Sequence, residues 1–177
     1  MLAGWQAHHF SFQRHSGNGG PIAIDPAGKF LFSANGSGEI ISFTINSQTG
    51  NLVQGSAPAV TDGNQPVYFL IDSTGNFLIA SNHADSSGRD YSVYAINSTT
   101  AVLTEVQGSP FTIGQNTGPQ TFLQIDSSGQ HLLIVGESLN SIFVDKIDPT
   151  SGAITQGNMT ALPTMAGTRF TALVPLQ

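Results

Sequence analysis

The chain has 177 residues, 39% hydrophobic and 9% charged, with 20 Gly and 9 Pro, a balance that suits a turn-rich globular β protein able to bury a core. A formal charge of −6 with five Lys plus Arg leaves too little positive surface to neutralise several phosphates or to hold an anionic bilayer, which argues against nucleic acid and membranes as partners. With no Cys, disulfides and thiolate metal sites are excluded, and no stretch approaches the roughly 18 apolar residues of a membrane span.

In chain order, the start "MLAGWQAHHFSFQRH" lacks a basic n-region followed by an apolar h-region, so a signal peptide is expected to be absent or already removed. His8 and His9 are adjacent, and on a strand they point to opposite faces, which keeps them from sharing one metal ion. From Ile24 the chain reads "IDPAGKFLFSAN", and it repeats this as "IDSTGNFLIASN" from Ile71 and "IDSSGQHLLIVG" from Ile125. Asp25, Asp72 and Asp126 stand 47 and then 54 residues apart, the longer interval carrying extra residues in "NHADSSGRD". A period near this length points to propeller blades.

Each unit holds four short apolar segments: "PIAID", "KFLFSAN", "EIISFTIN" and "NLVQGS" in the first. The second runs "VYFLID", "NFLIASN", "YSVYAIN", "VLTEVQGS", and the third "TFLQID", "HLLIVG", "SIFVDKID", "AITQG". Their bounding clusters of Gly, Ser, Asn and Asp predict strands joined by hairpin turns, four per antiparallel blade, and no helical periodicity appears. In "DPAGK", "DSTGN" and "DSSGQ" the Asp side chain is expected to accept from backbone N–H groups further along the turn, and Gly28, Gly75 and Gly129 to supply the positive φ that closes it. The fold expected is all-β: blades at 19–65, 66–118 and 119–167, a partial blade strand in 1–18, and a lone first strand in 168–177.

The stretches "IDPAGKFLFSAN", "ISFTINSQTGNL" and "LTEVQGSPFTIGQNTGP" resemble the lactonase-type β-propeller family, which includes 6-phosphogluconolactonase-like and YVTN-repeat proteins. The resemblance covers roughly Gly19 to Gly167 and is specific for the blade, because its motifs are turns and core strands. It implies a ring of about seven blades, of which this chain holds about half, and a lactonase-like activity on sugar lactones.

Chain direction sorts the loops: connections between second and third strands share an end of the propeller with those between blades, and the Asp–Gly turns lie at the other. That first end is expected to collect His83, Asp85, Arg89 and Asp90 from "NHADSSGRD", Glu137 from "GESLN", Asp62, Asn64 and Gln65 from "TDGNQ", and Arg169 from "AGTRF". In this reading Arg89 holds a carboxylate or phosphate, with Asp85, Asp90, Asn64, Gln65 and Arg169 as further ligand contacts, while His83 and Glu137 move protons. The plainer alternative is an exposed polar loop with Asp85 or Asp90 pairing Arg89. His131 takes a place held by Phe elsewhere and reads as a core or blade-interface residue. No GxSxG elbow supports a serine nucleophile, and neither a metal nor a cofactor is expected.

Two functions follow. The leading one is a non-catalytic propeller module, a scaffold that self-associates through open blade edges into a ring or an open chain, with a piece of a longer chain as the alternative to self-association. The second is a lactonase-like hydrolase taking a sugar lactone or sugar acid. The Ser-, Thr-, Asn- and Gly-rich surface points to a secreted or periplasmic protein, with the cytoplasm as the alternative; the sequons at Asn35, Asn97 and Asn158 are what chance gives in such a composition.

Overall fold

The structure is a computed structural model, and it describes residues 20–55, 59–61, 65–83, 90–113, 121–136 and 141–161. These form three antiparallel sheets. The first comprises β1 (Ile22–Ile24), β2 (Phe30–Ala34), β3 (Glu39–Ile45), β4 (Leu52–Gln54) and β5 (Val60–Thr61); the second β6 (Pro66–Ile71), β7 (Phe77–Asn82), β8 (Tyr91–Ile96) and β9 (Leu103–Glu105); the third β10 (Thr121–Ile125), β11 (His131–Gly136), β12 (Ser141–Ile147) and β13 (Ile154–Ala161). In each, the first four strands pair in chain order, a four-stranded meander of the kind that makes a propeller blade, and in the first sheet β5 pairs back onto β3.

The repeated Asp turn does what its residues dictate. Asp25 Oδ1 accepts from the N–H groups of Lys29 and Phe30 at 2.7 and 2.5 Å, Asp72 Oδ1 from Phe77 N at 2.7 Å, and Asp126 Oδ1 from Gln130 N and His131 N at 3.1 and 3.0 Å. Gly28, Gly75 and Gly129 have φ of 67°, 76° and 72°, a region costly for residues with a Cβ. The carboxylate thus fastens the turn to the first residue of the second strand, fixing the hairpin's register.

The outermost position departs from a simple four-strand plan. In the first sheet it is shared: β4 pairs the end of β3, and β5 pairs its start through Glu39↔Thr61 and Ile40↔Val60. In the second, β9 covers the end of β8 and Phe111 bridges back to Tyr91. In the third, β13 runs the full length of β12 but carries a bulge, with Gln156 and Gly157 facing Asp145.

Residues alternate between sheet faces, and two cores fill the two gaps. Between the first and second sheets lie Phe30, Phe32, Ala34 and Ile40 against Phe69, Leu78, Ala80, Tyr94 and Ile96. Between the second and third lie Phe77, Ile79, Tyr91 and Val93 against Leu123, Leu132, Ile134, Phe143 and Ile147. Each large apolar side chain so buried contributes roughly 1.5–3 kcal/mol. All six residues of β7 are buried, since it lies between both gaps.

The second gap also holds a polar bond. The Tyr91 hydroxyl donates to Asp145 Oδ2 at 2.7 Å, and Gly157 N donates to Asp145 Oδ1 at 2.9 Å. The bulge makes this possible: a Cβ on Gly157 would lie 1.7 Å from Val144 O, so only glycine lets β13 approach closely enough to cap the carboxylate. Burial, then the hydrogen bond and charge of Asp145, then the charge of Asp90, hold the Tyr91 phenol well above its ordinary range.

His131, expected in the core or at a blade interface, belongs to neither core of the described residues. Its side chain is 41% exposed, and Nδ1 lies 3.0 Å from Asp126 Oδ2. It sits on the face of the third sheet that points away from the second, where no described residue forms a further sheet. Burial pushes the Asp126 carboxyl up, but bonds from Ser128, from the His131 ring and from the backbone of His131 and Gln130 outweigh it and hold it below the usual carboxylate range.

Candidate functional site

At the end of the sheets opposite the Asp turns, the connections do gather. His83 N donates to Gln65 O at 2.9 Å, which ties the connection after β7 to the segment entering β6. Gln65 Nε2 donates to Gly36 O at 3.2 Å, which ties both to the turn between β2 and β3. That turn is shaped by Asn35, whose Oδ1 accepts from Ser37 N and Glu39 N at 2.9 and 3.0 Å while its Nδ2 donates to Glu39 Oε2 at 2.6 Å. The result is a polar rim over the first gap, with the Gln65 and His83 side chains exposed.

Three expected site residues are therefore placed. Gln65 and His83 come together at one end of the fold. Asp90 starts from the same loop but is turned inward: it is 3% exposed, and its Oδ2 accepts from Ile113 N at 2.7 Å and from the Thr112 hydroxyl at 3.0 Å. Its carboxylate anchors the 111–113 segment, and Phe111 N and O bond Tyr91 and Asp90 to extend the sheet. Asp62, Asn64, Asp85, Arg89, Glu137 and Arg169 lie outside the described residues, as do His8, His9 and His15.

A side chain not singled out from sequence lies just beneath the rim. Asn82, at the end of β7, is fully buried; its Nδ2 donates to Ser92 Oγ at 3.3 Å, while Oδ1 has no hydrogen-bond partner. The strand pattern "FLIASN" marks Asn82 as a strand-end polar residue, and nothing local in it signals that this side chain is fully buried.

Chemically, the described rim offers an imidazole at His83, an amide at Gln65 and a carboxylate at Glu39, groups that can hydrogen-bond a polyhydroxylated ligand. Among the described residues no group of three or more His, Asp or Glu could hold a metal ion. Among them too, no helix is long and apolar enough to cross a membrane.

The comparisons agree with this architecture. A family profile described as lactonase, 7-bladed beta-propeller matches residues 4–117, more than half of the chain. Among solved structures, a provisionally assigned 6-phosphogluconolactonase from Bacteroides uniformis superposes with a TM-score of 0.65 at 22% identity, covering 82% of this chain and 41% of its own. A Lactobacillus plantarum protein superposes with a TM-score of 0.65 at 20% identity, covering 79% of this chain and 40% of its own. The periplasmic gluconolactonase of Pseudomonas aeruginosa gives a TM-score of 0.63 at 19% identity, covering 80% and 39%. No curated protein sequence matches the chain. The chain spans about two fifths of the length of these neighbours. With three blade-like sheets built on one repeated Asp–Gly hairpin and a family match over most of two of them, the chain belongs to the seven-bladed β-propeller lactonase family.

Proposed function

We propose that the chain acts as a propeller module, a scaffold that associates with further copies of itself through its outward sheet faces. The observation that carries this reading is on β1. Ile22 and Ile24 are 47% and 45% exposed, whereas Phe69 and Leu123, which hold the place of Ile22 in the other two sheets, are 5% and 3% exposed. The position is apolar in all three repeats, and what differs is whether a described neighbouring sheet covers it. Exposed apolar sheet faces favour association. Two copies would close a ring of about seven or eight blades, or successive copies would extend head to tail. Sedimentation across a concentration series tests this: mass rising with concentration is expected, and a concentration-independent monomer that unfolds cooperatively overturns it.

A second reading is lactonase-like hydrolysis of sugar lactones. It is favoured by the convergence of His83 and Gln65 at one end of the fold and by neighbours whose names carry lactonase activity. Arg89 would hold an anionic group, and His83 and Glu137 would move protons. The test is titration of the wild type and Arg89→Ala with sugar lactones and sugar acids. Binding weakened about tenfold or more by the substitution is expected, and equal binding by both removes the reading. A secreted or periplasmic location is proposed with it, in line with the periplasmic gluconolactonase among the neighbours.

A further inference from the structure

Both junctions inside the chain use the same contact at the Asp-turn end. The residue opening the second strand of one sheet packs beneath the turn that follows the third strand of the next. In the first junction Phe30 shares a core with Ala101, the last residue of the 98–101 turn, and its neighbour Lys29 donates from Nζ to Ser98 O in that turn at 2.8 Å. In the second, Phe77 lies under the 149–152 turn so closely that a Cβ on Gly152 would meet its ring at 2.6 Å.

Each half of this contact is also present without a mate among the described residues. The third sheet opens β11 with His131, 41% exposed, and Leu133, Val135, Ile142 and Val144 follow on its face, each only partly buried. The first sheet offers the receiving half. Its 47–50 turn closes with Gly50 N donating to Asn46 O at 2.7 Å, the bond that Ala101 N makes to Asn97 O and Gly152 N to Asp148 O, both at 2.8 Å. Gly50 has φ 73°, beside 58° for Ala101 and 71° for Gly152, so the three turns share one shape. Ile22 and Ile24 stand exposed on the outward face of the same sheet.

The geometry points to a head-to-tail junction between copies that repeats the internal register, with His131 of one copy seated under the Asn46–Gly50 turn of the next and replacing the Phe of the internal junctions. The partner is thus a second copy, and the two unmated faces are complementary because they are the two halves of a contact the chain already makes twice. His131, bonded to Asp126, and Lys146, paired beside it in register, replace the apolar Phe77 and Ala95 of the second sheet. They make this junction weaker than the internal ones and hence reversible.

The inference rests on the self-association reading, and its test separates the two. The chain contains no Cys, so introduced thiols report one contact. His131→Cys and Gly50→Cys chains are mixed and oxidised, the latter substitution being of a kind the equivalent Ala101 shows the turn accepts. The mixed disulfide is expected to exceed either homodimer by about tenfold, since the register brings these positions together and separates like from like. His131→Phe is expected to tighten association about tenfold, by the apolar contact it restores. A wild type that stays monomeric at every concentration overturns both readings. A wild type that associates, but with a statistical disulfide mixture or with His131→Phe no tighter, overturns this register and leaves self-association standing.

Discussion

The junction between the first and second sheets closes with Phe30, Phe32, Ala34 and Ile40 against Phe69, Leu78 and Ala80 and leaves Asn82 Oδ1 buried without a partner. The junction between the second and third uses the same strand positions, yet its buried polar group, Asp145, receives both Tyr91 and Gly157. Repetition has therefore preserved the apolar frame while the polar details diverged. In the second junction a glycine bulge and a tyrosine complete a carboxylate; in the first an amide is sealed in half satisfied. A satisfied buried network fixes one packing arrangement, whereas an orphaned acceptor costs stability.

The sharpest way to break this contrast is Gly157→Ala. Its Cβ would meet Val144 O at 1.7 Å, and backbone has to move, so a loss of about 3 kcal/mol in urea-unfolding stability is expected. A loss under about 1 kcal/mol would mean that the close approach is not needed. Next is Tyr91→Phe, which keeps the stacking of the ring on Phe111 at 5.3 Å but strips one donor from a buried carboxylate. About 2 kcal/mol should be lost.

The same tyrosine gives an alkaline signature. Its folded pKa is raised, so above about pH 10 the unfolded chain releases a proton that the folded chain retains, and stability falls by roughly 1.4 kcal/mol per pH unit. The Tyr91→Phe chain lacks this slope, and the gap between the two proteins should narrow as pH rises above about 10. Unfolding curves at several pH values check it, and a constant gap would contradict the buried phenol. The smallest effect is expected in the other junction. Asn82→Ala removes a 3.3 Å bond to Ser92 together with the orphaned acceptor, and the two terms nearly cancel, leaving a change within about 1 kcal/mol.

The repeat made the sheets legible. Asp25, Asp72 and Asp126 with their glycines identify the hairpin because only a few residue types satisfy that turn, and the apolar runs that follow become β2, β7 and β11. The split outer strand was not legible: β5 and the Phe111 bridge are short and lie after Gly and Pro residues that read as loop. Nor was Tyr91–Asp145, which joins residues 54 positions apart through a bulge with no sequence signature of its own. At the candidate site, chain direction assigns His83 and Gln65 to the same end of the sheets, and the bond from His83 N to Gln65 O lies there. It could not show that Asp90 turns inward, because a carboxylate's choice between solvent and the N–H of Ile113 depends on how the 111–113 segment folds back. His131, expected in the core or at a blade interface from its alignment with Phe30 and Phe77, is partly exposed because its face has no described sheet against it.

The meander order of the strands has a consequence for how the chain folds and frays. Every described strand pairs within its own repeat, so among them no hydrogen-bonded ladder has to close a loop longer than one unit, and the entropic cost of pairing stays low. Sheets then depend on each other through side-chain contact across the gaps, as stacked repeats do. Among the described sheets, the second has a neighbour on both faces. Amides of β7, where all six residues are buried, should therefore exchange with solvent only when the whole stack opens, while those of the three-residue strands β1 and β4 exchange through local fraying at the edges.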